Sequence, residues 1–533
     1  MKLTKKIFIT GLLAGLAAQA NADVLRMGYA SEPSTSDPHY SLHTPNASLV
    51  SHVFESLVIS DGQSVIKPQL AQSWRQLDEN TWQFNLRKNV SFSNGEAFTG
   101  EDVIYSFCRN YSSKKGGRGA AASTIDLIDT VDMPDPHTLV VKTKVPQPDL
   151  DRLLRNLKVI SASTGDFDTI KFDRASNCGV TKYVTTSEID EGKAIGTGPY
   201  TIASFNKGGA NLLERNPNYW GEMPDWSQVE IKTISNDGAR IAGLLADDFD
   251  VIDGVSTKNL GVLKRRNAFD WTIIPSLRII FLQLDVARDQ SPGVVGNAEE
   301  NPLKDPRVRK AISLAINRKV IVDRILDGEG VAANQFAPTF LEGSLQEGDE
   351  VEFNPKKAKK LLAEAGYPDG FKLVFSATNN RYLYDSKVSQ AITQYLRKVG
   401  IKVELNSVTK TVFFSKRRNK EYSMSMGGWS SGSGALALLK SFTATKDKEK
   451  GYGTGNYGGY SNPEFDKWLE KGLTTMNKDS RIQAQQEAAK IILEDLPLIP
   501  LHWQKYSWAY KNNLTTLGRS DEKTIAMEFR KKS

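Results

Sequence analysis

Between residues 81 and 86 apolar and polar positions alternate, with Trp82, Phe84 and Leu86 on one side. A period of two marks a strand with one buried face. Val90 and Phe92 continue the alternation, and Asn94-Gly95 supplies a turn. Thr99 with Asp102 three residues on forms an N-terminal capping arrangement for a helix through Val103 and Phe107. Residues 112–122, rich in Gly, Ser and basic side chains, read as a surface loop.

Later the period switches back and forth. Asp305-Pro306 is an N-cap followed by proline at the first helical position, and Val308, Ile312, Ala315 and Ile316 then recur at helical spacing. Asn354-Pro355 opens another helix, with Leu361, Leu362 and Ala365 on one face and Gly366 and Pro368 to stop it. Phe371, Leu373 and Phe375 alternate as a strand. Val388, Ile392 and Tyr395 follow at helical spacing up to Gly400, and Ile401, Val403 and Leu405 alternate again. Strand, helix and strand in that order predict parallel pairing with a right-handed crossover. Asn462-Pro463 begins a helix carrying Phe465, Trp468 and Leu469, and the next helix carries Ile482, Ala489 and Ile492. In Leu496-Pro497-Leu498-Ile499-Pro500-Leu501 two prolines disfavour helix and suit an extended crossing strand. No internal repeat is present.

Composition changes this picture little: 533 residues, 39% hydrophobic and 25% charged, suit a globular chain of about three structural units. The N-terminus adds more. Lys2, Lys5 and Lys6 precede a short apolar stretch over residues 7–18, and Ala20-Asn21-Ala22 is a cleavage site, so the mature chain is expected to begin at Asp23. About a dozen apolar residues are too few to cross ~30 Å of hydrocarbon as a helix, and no Cys follows the site to carry a lipid. Of the formal +7, three charges fall in this leader, leaving +4. Export and the lack of a concentrated basic run argue against nucleic acid as a partner. Cys108 and Cys178 suit one disulfide in an oxidising compartment, with two buried free thiols as the alternative.

A series of short segments now carries a resemblance. They are Phe54-Glu55-Ser56-Leu57, Pro68-Gln69-Leu70-Ala71-Gln72-Ser73-Trp74, Phe92-Ser93-Asn94-Gly95-Glu96 running into Phe98-Thr99-Gly100-Glu101-Asp102-Val103, Gly196-Thr197-Gly198-Pro199-Tyr200 and Asn216-Pro217-Asn218-Tyr219-Trp220. Further on stand Asp305-Pro306-Arg307-Val308-Arg309-Lys310-Ala311-Ile312, Leu361-Leu362-Ala363-Glu364-Ala365-Gly366-Tyr367, Tyr460-Ser461-Asn462-Pro463-Glu464-Phe465-Asp466 and Leu498-Ile499-Pro500-Leu501-His502. In order and spread they resemble family 5 of the solute-binding proteins of ABC importers, the oligopeptide-, dipeptide- and nickel-binding periplasmic proteins.

The resemblance implies an α/β, two-lobed periplasmic binding protein fold (type II, cluster C-like) with an extra subdomain in lobe one. Lobe one would comprise residues 23–275 and 500–533, with the extra subdomain at about 65–190 and both cysteines inside it. Lobe two would span 280–495, with hinges at about 275–282 and 496–501. It further implies a monomer that closes on a peptide or peptide-like solute and delivers it to ABC permease subunits in the inner membrane. A ligand drives such closure only through its differential affinity for the closed form.

Peptide-binding members carry an Asp a few residues after a Trp, which pairs with the peptide's amino terminus. The matching stretch here is Gly428-Trp429-Ser430-Ser431-Gly432-Ser433-Gly434, with Gly432 at the acidic position. A buried ammonium without a carboxylate is costly. The loop therefore suits an opine, sugar or modified peptide, unless Glu32 or another acid substitutes. Candidate ligand-binding residues are Ser31, Glu32 and Tyr40 near the mature N-terminus, Asn380 and Arg381 after Asn379, Trp429, Ser430, Ser431 and Trp503. Arg381 offers a planar fork for a carboxylate, and Trp429 a stacking surface. A nickel chelate, opine or glycoside is the alternative ligand.

Other chemistry is poorly served. Gly428-Trp429-Ser430-Ser431-Gly432 matches the G-x-S-x-G of serine hydrolases, with a strand at 423–426 before it and His502 after it, but Ser-Gly-Ser-Gly is a poor helix start. The five histidines, His39, His43, His52, His137 and His502, do not cluster at metal-ligand spacing. No phosphate-cradling loop is present, which assigns ATP hydrolysis to another subunit. No cofactor is called for.

Overall fold

The computed structural model describes residues 23–532 except 116–119, 175–177, 296–299, 347–351, 431 and 433. The expected export signal, and Ser431, lie outside the described residues.

Two strands organise the chain. Phe269–Leu284 and Leu498–Lys511 pair antiparallel along most of their length, from Phe269 opposite Lys511 to Gln283 opposite Leu498. At one end Leu498–Lys511 pairs with Val251–Asp253, which continues through Val24–Tyr29, Gln228–Thr233, Ala210–Arg215 and Tyr200–Ser204. At the other end Phe269–Leu284 pairs with Met424–Ser430, which leads to Lys372–Thr378 and Lys402–Val408. A single twelve-stranded sheet thus runs through two lobes. Its register shifts between Pro275 and Ile279, and again opposite Leu501. Pro275 and Pro500 stand beside these irregularities and have no N–H to give to a ladder.

Each lobe has its own apolar core. Leu25, Tyr29, Val229, Ile231 and Trp508 cluster in the first. In the second, Ile312, Phe375, Ile392 and Met426 form one cluster, and Phe281, Phe442, Phe465 and Ile492 another. A separate cluster around Phe84, Phe107, Val141 and Phe172 fills the extra subdomain, a five-stranded antiparallel sheet against the helix Gly100–Lys115. Cys108 and Cys178 form a disulfide there, with Cα atoms 5.9 Å apart, which removes the free-thiol alternative.

Most of the predicted elements are present. Asp305, Asn354 and Asn462 accept backbone N–H bonds at the starts of Pro306–Ala315, Pro355–Glu364 and Pro463–Thr474. Lys372–Thr378 and Lys402–Val408 are parallel across the helix Asp385–Lys398. Thr99 N–H donates to Asp102 Oδ2 at 2.9 Å, as the capping arrangement requires.

One expectation needs correction. The stretch read as loop from residue 112 is helix through Lys115 and helical again from Ala122. Polar composition alone does not separate a helix end from a loop. In Lys478–Asp495 the buried stripe is Arg481, Ala484, Gln485, Ala488 and Ile492, with Ile482 and Ala489 half-buried at its flank. Arg481 and Gln485 are admitted to that face because they cap the preceding helix: Arg481 donates to Thr475 and Met476 carbonyls and Gln485 to that of Gly472. Among the described residues no helix is long and apolar enough to cross a membrane.

Candidate functional site

The site lies where the sheet register breaks and loops from both lobes converge. From the second lobe, the loop after Lys372–Thr378 brings Asn380 and Arg381, and the strand Met424–Ser430 brings Trp429 and Ser430. The Tyr382 hydroxyl accepts the Gly428 N–H at 2.9 Å and ties these two segments together. Asp385 holds the first loop by accepting from the N–H groups of Arg381 and Tyr382 and from the Thr378 hydroxyl. The Arg381 guanidinium lies 5.2 Å over the Tyr382 ring. Arg381 is exposed, and loss of solvent around its guanidinium followed by nearby Arg278 lowers its pKa.

Trp429 is 38% exposed, and its ring meets Phe442 in a T-shaped contact with centroids 5.2 Å apart. Ser430 is exposed and stands opposite Arg278 in the ladder. Asn380 accepts the Lys410 N–H at 2.8 Å. Trp503 is only 7% exposed and packs in the second-lobe core with Ile279, Phe281 and Phe442.

The first lobe contributes the segment after Val24–Tyr29. Ser31 is exposed, the Glu32 carboxylate accepts the Gly208 N–H, and Tyr40 is 56% exposed. Between them the chain is pinned to the extra subdomain. Both oxygens of Asp37 accept from the Arg109 guanidinium, at 2.8 and 2.7 Å, and Thr186 donates to Oδ2. Burial pushes the Asp37 carboxyl up, but the Arg109 pairing overcomes this and holds it at about 2. Asp190 accepts from Thr35 and from both donors of Ser36. His39 Nε2 donates to the Lys158 carbonyl at 2.7 Å. The next histidine, His43, has its pKa lowered by burial and then by Arg381, Lys410 and Arg278.

The C-terminal segment completes the floor, and nothing local in the sequence singles it out. Ser520 N–H donates to Gly62 O, and Leu277 N–H to Ser520 O, so this segment straps the first lobe to the register break. Glu522 takes Arg278 bidentately, with a shortest contact of 2.6 Å. Arg519 pairs with Asp521 and Glu528, and Lys523 with Asp521. Arg155 and Lys158, from the extra subdomain, face this cluster. Burial, then repulsion from Arg152, lowers Arg155 to about 10. Burial, then Lys523, lowers Lys158 to about 7.

Beside the cleft, the Glu329 carboxylate of the second lobe accepts from Thr257 N–H and Oγ1, each at 2.7 Å. It thereby caps the first-lobe helix Thr257–Lys264 from across the lobes. Ser256 and Tyr384 hydroxyls meet at the same place.

The hydrolase constellation is not assembled: His502 is buried on Leu498–Lys511, and neither ring nitrogen has a hydrogen-bond partner among the described residues. Among those residues no group of three or more His, Cys, Asp or Glu side chains is placed to hold a metal ion.

Two α/β lobes on a shared pair of crossing strands define a two-lobed binding protein of type II. The family described as bacterial extracellular solute-binding proteins, family 5 Middle, matches residues 65–491, and the chain belongs to it. It is 27% identical over 499 residues to the probable D,D-dipeptide-binding periplasmic protein DdpA of Escherichia coli (strain K12), covering 91% of this chain and 90% of that one. Among solved structures, DppA from Helicobacter pylori in complex with peptide STSA superposes with a TM-score of 0.75 at 21% identity, over 96% of this chain and 98% of that one. MoaA from A.tumefacien R10 in complex with mannopinic acid gives 0.76 at 22% identity, over 96% and 100%.

Proposed function

We propose that this chain is the periplasmic substrate-binding component of an ABC importer, and that it captures a peptide-like small polar solute between its lobes for delivery to a membrane permease. The observation that carries this reading is the convergence of exposed Trp429, Ser430 and Arg381 from the second lobe, and of the C-terminal strap, on a break in the paired strands that run through both lobes. Family membership and the periplasmic relatives support the compartment and the importer. On this reading lobe one comprises 23–275 and 500–533, with an extra subdomain near 65–190, and lobe two comprises 280–495. The hinges lie at 275–282 and 496–501, a placement supported by the register shifts near Pro275 and Leu501.

Binding rather than turnover is the reading the site favours. His502, the histidine the hydrolase pattern would need, has no hydrogen-bond partner on either ring nitrogen among the described residues, and the relatives named above are binding proteins. The test is native mass spectrometry of the mature protein, followed by mass identification of what denaturation releases. A one-to-one complex with a small solute is expected. A protein that carries nothing, and binds nothing from a periplasmic extract of its host, refutes the proposal.

A further inference from the structure

The loop Gly428 to Gly434 lacks the carboxylate that would receive an amine, and the structure shows what stands there instead. A Cβ built on Gly432 would lie 3.0 Å from Arg155 Nη2. The guanidinium of a first-lobe residue therefore reaches the second-lobe position that an acidic side chain would occupy. Leaving an ammonium against it would place two like charges in contact, in a region where water screens them little.

The surrounding charges do not neutralise Arg155. Its Nη1 donates to the Arg152 carbonyl at 2.9 Å, and it has no ion pair among the described residues. Lys158 is 8% exposed and has none either. The nearby acids have other partners: Glu522 holds Arg278, Asp521 is shared by Arg519 and Lys523, Asp151 accepts from the Trp74 indole and the Arg152 N–H, and Glu55 accepts from Trp220 and Thr197. Across the cleft Arg381 also lacks a carboxylate partner among the described residues. His43, whose pKa is lowered first by burial and then by Arg381, Lys410 and Arg278, places these three cations around one side chain. Unpaired, partly desolvated cations on facing walls are costly unless a ligand pairs them.

We propose that the cleft selects an anionic solute, whose end against Gly432 carries a carboxylate held by Arg155 and whose other end carries a second acidic group within reach of Arg381. This rests on the binding-protein reading above and narrows it: the ligand has no free amine at the Gly432 end. Charge-assisted, bidentate recognition of a carboxylate is what a guanidinium does best.

The test compares melting temperature and calorimetric affinity with three probes: trialanine, N-succinyl-trialanine (the same backbone with its amine replaced by a carboxylate) and citrate. At least one of the two anionic probes should raise the melting temperature, and trialanine should not. Arg155→Met should weaken the anionic probes by about tenfold or more, the value of one lost charge-assisted contact. Gly432→Asp removes no side chain and sets a carboxylate against Arg155, and it should weaken them by a similar factor. It therefore keeps the test open if Arg155→Met does not fold. Preference for trialanine overturns the charge assignment and leaves the binding reading standing. Lack of response to all three probes, or equal response in wild type and Gly432→Asp, overturns the anion site. Release of a free-amine peptide in the mass spectrometer does so as well, while confirming a binding protein.

Discussion

Replacing Asp37 by Asn tests whether the cleft segment 31–40 is held in place by one buried ion pair. Asp37 and Arg109 are 2% and 4% exposed and share two contacts of 2.8 and 2.7 Å. An amide keeps the shape but can accept with only one atom and removes the negative charge that faces the guanidinium. Removing one partner of a buried pair costs about 3–5 kcal/mol. A second, independent number comes from titration. The Asp37 carboxyl sits at about 2 against an ordinary 3.8, and a depressed carboxyl stabilises the fold above its unfolded value and loses that contribution as pH falls through its folded one. The shift corresponds to roughly 2 kcal/mol at neutral pH, about half of which is gone by pH 3. The deficit of Asp37→Asn in urea unfolding should therefore be about 3 kcal/mol or more at pH 7 and smaller by about 1 kcal/mol at pH 3. Ligand affinity should fall too, because the loop is no longer preorganised. A deficit below about 1 kcal/mol at pH 7, or one that does not change with pH, would show that the pair does not organise this loop.

Reduction of Cys108–Cys178, which closes a 70-residue separation, should lower stability by about 4 kcal/mol on the chain-entropy estimate, measured as a melting shift with and without reductant; an unchanged melt would mean the bond adds nothing. Glu329→Ala removes the cross-lobe cap on Thr257 and should cost the closed form about 1 kcal/mol, read as roughly fivefold weaker ligand binding by calorimetry; unaltered affinity would place that contact equally in the open form. Burial holds His502 neutral down to about 3, so the unfolded chain takes up its proton first and stability falls as pH drops below 6.5, by up to about 1.4 kcal/mol per unit. His502→Leu should remove one proton's worth of that slope in urea melts between pH 6.5 and 4.5, and an unchanged slope would assign the acid sensitivity elsewhere, to His39 and His52.

What the sequence disclosed and what it withheld have different physical origins. Helices opened by Asp305-Pro306, Asn354-Pro355 and Asn462-Pro463, and the parallel pair either side of Asp385–Lys398, are encoded by neighbours, through caps and periodicity, and were legible. So was the extended run containing Pro497 and Pro500, although the strand it begins continues to Lys511. The charge balance of the cleft is not encoded that way. Within the loop Gly428 to Gly434 a reader sees only a missing carboxylate. The guanidinium that reaches the vacated position belongs to Arg155 in another lobe, and Glu522, which neutralises Arg278, belongs to the last strap of the chain. Neither lies in a motif, because each acts through a position that only the fold makes adjacent. Trp503 shows the converse: an aromatic near a hinge invites a ligand-facing role, yet its neighbours Ile279, Phe281 and Phe442 enclose it. An absent charge is therefore informative in sequence only as a question, and its answer depends on which distant side chain the fold brings against the gap. Here that side chain is a guanidinium, so on the reading proposed above the gap at Gly432 favours an acid over an amine.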